Sequence, residues 1–135
     1  MTENALPIVA LSGGDPAGIG PELCMKAAQS DEVVSLCRPV IFGDRQVMDR
    51  HAEACGLKIQ LDGYSAVSDI DWASPGVKCI ELELFGNNEF RMGEINADNG
   101  QAAVDCVAAA IQAAVAGVVA DVVAAPRAGK SSQLA

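Results

Sequence analysis

A chain of 135 residues, half of them apolar, is long enough for one domain with a real core and too apolar to be disordered or fibrous. Its formal charge of −9 argues against nucleic acid or an anionic membrane as partner, because phosphate surfaces attract basic patches. A small anionic ligand stays open, since one local site is enough to hold it.

The N-terminus lacks a basic stretch followed by a long apolar run, so no signal peptide is expected. "PIVALS", Pro7 to Ser12, reads as a buried strand bounded by glycine. After a glycine-rich turn, "GPELCMKAAQ", Gly20 to Gln29, reads as a helix. Pro21 suits its first turn, where a missing N–H costs nothing, and Glu22 complements the positive end of the helix dipole. "PVIFGD", Pro39 to Asp44, is a second buried strand. Arg45 to Gly56 is a helix, with Asp44 as N-cap and Gly56 as its stop.

"KIQL", Lys58 to Leu61, reads as a short strand, and the turn-rich segment from Asp62 to Gly76 as a surface loop. "VKCIELE", Val77 to Glu83, is a strand, and Phe85 to Gly100 is mostly loop. The longest helix is expected from about Asp98 to Ala116, then a buried strand "DVVAAP", Asp121 to Pro126, and a tail that starts another helix. The apolar run from Ala102 to Ala125 is interrupted by Asp105, Gln112, Gly117 and Asp121, so helix plus strand explains it better than a membrane span. Strands alternating with helices predict an α/β fold with a mainly parallel sheet and flanking helices. No internal boundary divides residues 1–135.

Cysteines stand at Cys24, Cys37, Cys55, Cys79 and Cys106, an odd count without a C-x-x-C pair. They read as reduced thiols, several of them buried, in a cytoplasmic protein rather than as a zinc site or a disulfide framework.

The turn "GGDPAGIG", Gly13 to Gly20, lies between a strand and a helix, where parallel α/β sheets bind ligands. Glycines let backbone approach a ligand, and a helix N-terminus offers N–H groups to an anion. Two familiar anion loops are nevertheless absent. Gly18 and Gly20 open a dinucleotide fingerprint, but Leu23 stands where its third glycine belongs. A P-loop needs Lys after its last glycine, and Gly18 is followed by Ile19. These residues alone leave a structural turn and a ligand loop equally open.

"GDPAGIGPE", Gly14 to Glu22, resembles the opening signature of the 4-hydroxythreonine-4-phosphate dehydrogenase family of vitamin B6 synthesis. A shorter relative, G-D-G-I-G-P-E, marks the isocitrate and isopropylmalate dehydrogenases of the same fold. "GEINADNG", Gly93 to Gly100, is similar to the family's G-x-x-S-A-E-N-G, and "DVVAAP" to the strand that ends in A-P or G-P. The resemblance implies an NAD-dependent enzyme that oxidises 4-phosphohydroxy-L-threonine at a secondary alcohol, giving a 3-keto acid that loses carbon dioxide. It further implies a divalent metal (zinc, magnesium or cobalt) acting as Lewis acid, and a homodimer. On the glycine turn it implies that Asp15, Gly18, Ile19 and Gly20 shape the cofactor side of a cleft.

The family's metal is held by three histidines beyond the matched region, and a His-Thr substrate pair follows the strand that ends here. This chain has one histidine, His51, read as a surface or half-buried residue with no ligand role. Arg127, Ala128, Gly129 and Lys130 replace the family's x-Asn-Lys or His-x-Glu after Pro126, and Lys130 reads as solvated. Glu81 and Glu83 fall on one face of a strand by period two, as on an exposed edge. Asp98 and Asn99 read as helix caps, and Tyr64 and Trp72 as loop aromatics without a partner pattern.

The expectation is an N-terminal fragment of such a dehydrogenase, without a metal site or catalytic residues of its own and inactive alone. Two alternatives stay open. One is a relative acting on another hydroxy acid phosphate or a cis-dihydrodiol. The other is a small non-catalytic α/β module that binds a ligand or partner through the glycine loop.

Overall fold

The computed structural model describes residues 5–85 and 97–125. Five parallel strands form one sheet in the order β3-β4-β2-β1-β5. They are β1 (Ile8–Ser12), β2 (Arg38–Gly43), β3 (Leu61–Tyr64), β4 (Val77–Glu81) and β5 (Asp121–Ala124). The helices are α1 (Gly20–Gln29), α2 (Asp31–Leu36), α3 (Arg45–Ala54) and α4 (Ala97–Val115), with a 3-10 turn at Val67–Asp69.

The central strands are apolar at successive positions because both faces are covered. Leu11, Ile41 and Cys79 point to one face and pack on Met25 and Ala28 of α1 and Met48 of α3. Ala10, Val40, Phe42 and Ile80 point to the other face and pack on Cys106 and Ala110 of α4. Ile41 and Val40 are fully buried, each stabilising the fold by roughly 2 kcal/mol over an exposed side chain. Connections toward β3 run through α1 and α3 on the first face. Connections back toward β5 run through residues 65–76 and α4 on the second. A uniform crossover hand requires that division.

The expected parallel α/β fold is therefore present, and α1 has the expected ends. Asp44 caps α3 as expected, its Oδ1 accepting from Gln46 N at 2.9 Å. α4 starts at Ala97, so Asp98 and Asn99 lie inside its first turn, Asp98 exposed and Asn99 buried.

Several expectations are corrected. β3 begins at Leu61, not Lys58, because its only partner β4 begins opposite it at Val77. The expected surface loop 62–76 thus contains most of a strand, a 3-10 turn and the buried Ile70. α2 was not anticipated: its six residues include two β-branched valines and none is buried, so no apolar stripe marks it. β4 is an interior strand that ends at Glu81. Glu81 and Glu83 therefore do not share an edge-strand face, and Glu81 pairs with Arg45 at 3.3 Å. β5 lies at one edge of the sheet, with Val123 exposed rather than buried, because among the described residues only β1 pairs with it.

Tyr64 belongs to β3 and packs against the α4-side core. Trp72 packs there too and lies under Arg38, 5.2 Å from the guanidinium carbon to the ring centroid. All five cysteines are free thiols, with Cys24, Cys79 and Cys106 buried. Among the described residues no helix is long and apolar enough to cross a membrane. Gly93 to Asn96, Pro126, Arg127 and Lys130, and the expected tail helix, lie outside the described residues.

Candidate functional site

β1 sits between β2, reached through one face, and β5, reached through the other. The carboxyl ends of β1 and β5 therefore flank the point where strand order reverses, the usual place for a ligand crevice in an open parallel sheet. The glycine turn leaves β1 at that point. Ala125, just past β5, lies against the start of α1, its N–H donating to Ser12 O at 3.0 Å.

The turn is held from within. Gly14 has φ of 71°, a left-handed backbone that favours glycine. The Asp15 carboxylate is 1% exposed, and its Oδ1 accepts from Ala17 N at 2.8 Å. Gly18 N donates to Asp15 O at 3.0 Å and closes the turn. A Cβ on Gly20 would stand 2.1 Å from Gly13 O, so the two ends of the turn touch through backbone. Gly18 has no such contact: a Cβ there would meet Asp15 O at 3.6 Å and Asp15 Cβ at 3.9 Å, ordinary van der Waals distances.

The four residues singled out on this turn thus divide. Asp15 and Gly20 face inward and maintain its shape. Gly18 is half-buried and Ile19 is 60% exposed, so they form an uncharged ledge on the open side.

His51, expected near the surface, is 4% exposed. Its Nε2 lies 2.5 Å from Pro16 O. A carbonyl oxygen only accepts, so Nε2 carries the proton and donates to the turn. The sequence held a signal for this. Val47, Met48, His51 and Ala52 repeat at helical spacing as the buried face of α3, and His51 belongs to that stripe.

α4 supports the turn from the other side. The Cys106 thiol lies 2.6 Å from Phe42 O and accepts from Ser12 Oγ at 3.4 Å. Burial raises the Cys106 pKa, while the Ser12 hydroxyl and the N–H groups of Gly13 and Gly14 oppose that rise. Burial also pushes the Cys24 thiol up to about 12, with its neighbour Cys106 adding to the shift. Both stay protonated near neutral pH and are poor nucleophiles. Asp44 uses both oxygens on backbone, Gln46 N and Leu84 N, and so ties the end of β2 to the exit of β4.

The start of α1 is a poor phosphate cradle. Pro21 removes one N–H, and Glu22 places a carboxylate in the first turn. A hydrogen bond from the Cys55 thiol, then the Lys26 ammonium, lower the Glu22 pKa and keep it ionised. The uncharged ledge of Gly18 and Ile19 suits a ribose or a planar ring better than a phosphate. Among the described residues no group of three His, Cys, Asp or Glu side chains is placed to hold a metal ion, so no step through a metal is built on them.

The sequence pattern of the family described as pyridoxal phosphate biosynthetic protein PdxA matches residues 35–135. That match begins beyond α1, so the glycine turn is independent of it. A Symbiobacterium thermophilum protein named as a D-threonate 4-phosphate dehydrogenase is 34% identical over 113 residues, which are 84% of this chain and 34% of that protein. A Fusobacterium nucleatum protein of the same name is 27% identical over 107 residues, 79% of this chain and 32% of its own length. The crystal structure of a 4-hydroxythreonine-4-phosphate dehydrogenase from Burkholderia phymatum matches with a TM-score of 0.88 at 25% identity, over 97% of this chain and 39% of that one. A terephthalate 1,2-cis-dihydrodiol dehydrogenase from Burkholderia xenovorans matches with a TM-score of 0.75 at 31% identity, over 96% of this chain and 37% of that one. The chain therefore spans about a third of the length of the curated relatives it matches. With three quarters of its residues inside the family pattern, the chain belongs to the PdxA family of pyridoxal phosphate biosynthetic proteins.

Proposed function

We propose that this chain forms one wall of the active-site cleft of an NAD-dependent dehydrogenase acting on a four-carbon hydroxy acid 4-phosphate. The observation that carries the reading is the uncharged ledge of Gly18 and Ile19, held by a rigid turn at the reversal point of a PdxA-family sheet. NAD would supply the hydride acceptor for the alcohol carbon, with the hydroxyl proton passing to solvent, and the 3-keto acid so formed could lose carbon dioxide. The residues present orient rather than react. Gly18 and Ile19 offer the surface on which the cofactor lies, and Asp15, Gly20 and His51 hold that surface in place. Among the described residues at the turn no side chain is placed as general base. A small-molecule substrate, a cytoplasmic location and a homodimer complete the proposal.

The 34% identity to a relative named for D-threonate 4-phosphate favours that substrate over 4-phosphohydroxy-L-threonine, which carries an amino group in place of the C2 hydroxyl. Both have the secondary alcohol beside the carboxylate-bearing carbon. The test is NADH formation by the protein that the gene's whole reading frame encodes, with divalent metal present. D-threonate 4-phosphate, 4-phosphohydroxy-L-threonine and a cis-dihydrodiol are compared. The highest kcat/KM is expected with D-threonate 4-phosphate. Turnover of the dihydrodiol alone, or of none of the three, would overturn the proposal.

A further inference from the structure

At the amino ends of β2 and β4, opposite the glycine turn, lies a cavity of about 570 Å3, within the range of small-molecule pockets. Its wall includes Arg38, Trp72, Gln29, Gln60, Lys78 and Asp31. Most of these polar groups are committed. Lys78 Nζ donates to Ser74 O at 2.6 Å and Gly76 O at 2.8 Å and pairs with Asp62 at 3.2 Å. Gln29 Nε2 donates to Lys58 O, and Gln60 Nε2 to Asp62 Oδ1.

Asp31, an exposed carboxylate, and Arg38 make no such side-chain bond, and of the two only Arg38 is positively charged. The Arg38 guanidinium carbon lies over the Trp72 ring, 5.2 Å from its centroid, and among the described residues no carboxylate lies within ion-pair distance of it. This cation–π contact holds the guanidinium beside the ring, and no side-chain hydrogen bond within the described residues takes up its N–H donors. Such a half-buried guanidinium without an ion-pair partner, beside an open volume, matches a carboxylate or phosphate group better than it matches water alone.

We propose that the cavity between β2, β4 and the 72–78 segment binds a small molecule carrying a carboxylate or phosphate, with Arg38 as its anchor. The ligand's oxyanion takes the N–H edge of the guanidinium, and its remainder fills the space toward Gln29 and Gln60. This site lies at the other end of the sheet from the glycine turn and does not depend on the dehydrogenase reading.

Trp72 is the only tryptophan in the chain, so its fluorescence reports on the site directly. The full chain is titrated with sodium phosphate and with sodium malonate, against sodium chloride at equal ionic strength. A saturable change in Trp72 emission is expected with at least one oxyanion and not with chloride. Phosphate acting ahead of malonate identifies a phosphate ligand, and the reverse order a carboxylate. Arg38→Gln is expected to weaken binding at least about tenfold, the loss typical of a charge-assisted pair. Should that variant fail to fold, Arg38→Lys keeps the charge without the fork and is expected to bind several-fold more weakly. A folded Arg38→Gln or Arg38→Lys protein with unchanged affinity would overturn the proposal. So would a response to chloride equal to that of both oxyanions, or no response to either oxyanion.

Discussion

Among the described residues, the carboxyl ends of the strands close on themselves, with Gly13 against Gly20, Asp15 buried, and a space of about 10 Å3 beside the turn. At the amino ends the chain leaves about 570 Å3 open beside Arg38 and Trp72. The first space holds about one water molecule, and the second holds a metabolite. Among the described residues the glycine turn is therefore filled, not hollow. The two ends also differ in what holds them. Backbone contact, the Asp15 carboxylate and His51 hold the turn, whereas a network of charge and hydroxyl groups at Asp62, Ser74 and Lys78 holds the rim of the cavity.

Gly20→Ala is expected to have the largest effect. Its Cβ would stand 2.1 Å from a backbone oxygen that no side-chain rotation can move. Destabilisation by roughly 3 kcal/mol is expected in urea unfolding. A loss within experimental error would mean that the turn is not closed as described. His51→Ala comes next, because it strands the buried Pro16 carbonyl. A loss of about 2 kcal/mol is expected, with faster amide exchange at Gly18. His51→Gln, which can still donate, is expected to recover part of both.

The amino end is expected to respond to acid. The Ser74 hydroxyl lowers the Asp62 pKa from the ordinary 3.8, burial opposes the shift, and Gln60 and Lys78 add to the lowering. A carboxylate with a lowered folded-state pKa adds stability above its unfolded value, and that stability is lost as pH falls through the folded value. Thermal unfolding of the wild type is therefore expected to fall more steeply below about pH 4 than that of Asp62→Asn. Parallel curves would show that the cluster does not hold the rim. Gly18→Ala is expected to be the mildest, with a stability change within about 0.5 kcal/mol, because its Cβ has room. It would sharpen the contrast with Gly20, two residues away in the same motif.

Much of the fold was legible in local signals. Pro21 and Glu22 mark the start of α1, Asp44 marks that of α3, and apolar runs mark β1 and β2. β3 was not legible, since "LDGY" lacks an apolar alternation and owes its register to β4, about fifteen residues on. The turn was legible as a family motif, but the division between inward Asp15 and Gly20 and outward Gly18 and Ile19 was not. It depends on the Gly13–Gly20 contact and on His51, a long-range partner on another helix. The cavity had no sequence signal at all, because its wall gathers α1, α2, β2 and the segment before β4.

The most direct measurement is the KM for NAD of the protein as its gene encodes it, wild type beside Gly18→Ala, with D-threonate 4-phosphate as substrate and thermal unfolding recorded on the same samples. The expected result is turnover by both, a several-fold higher KM for NAD in the variant, and unfolding temperatures that coincide. An unchanged KM for NAD would contradict the placing of the cofactor on the Gly18 and Ile19 ledge, and absence of turnover in the wild type would contradict the dehydrogenase itself.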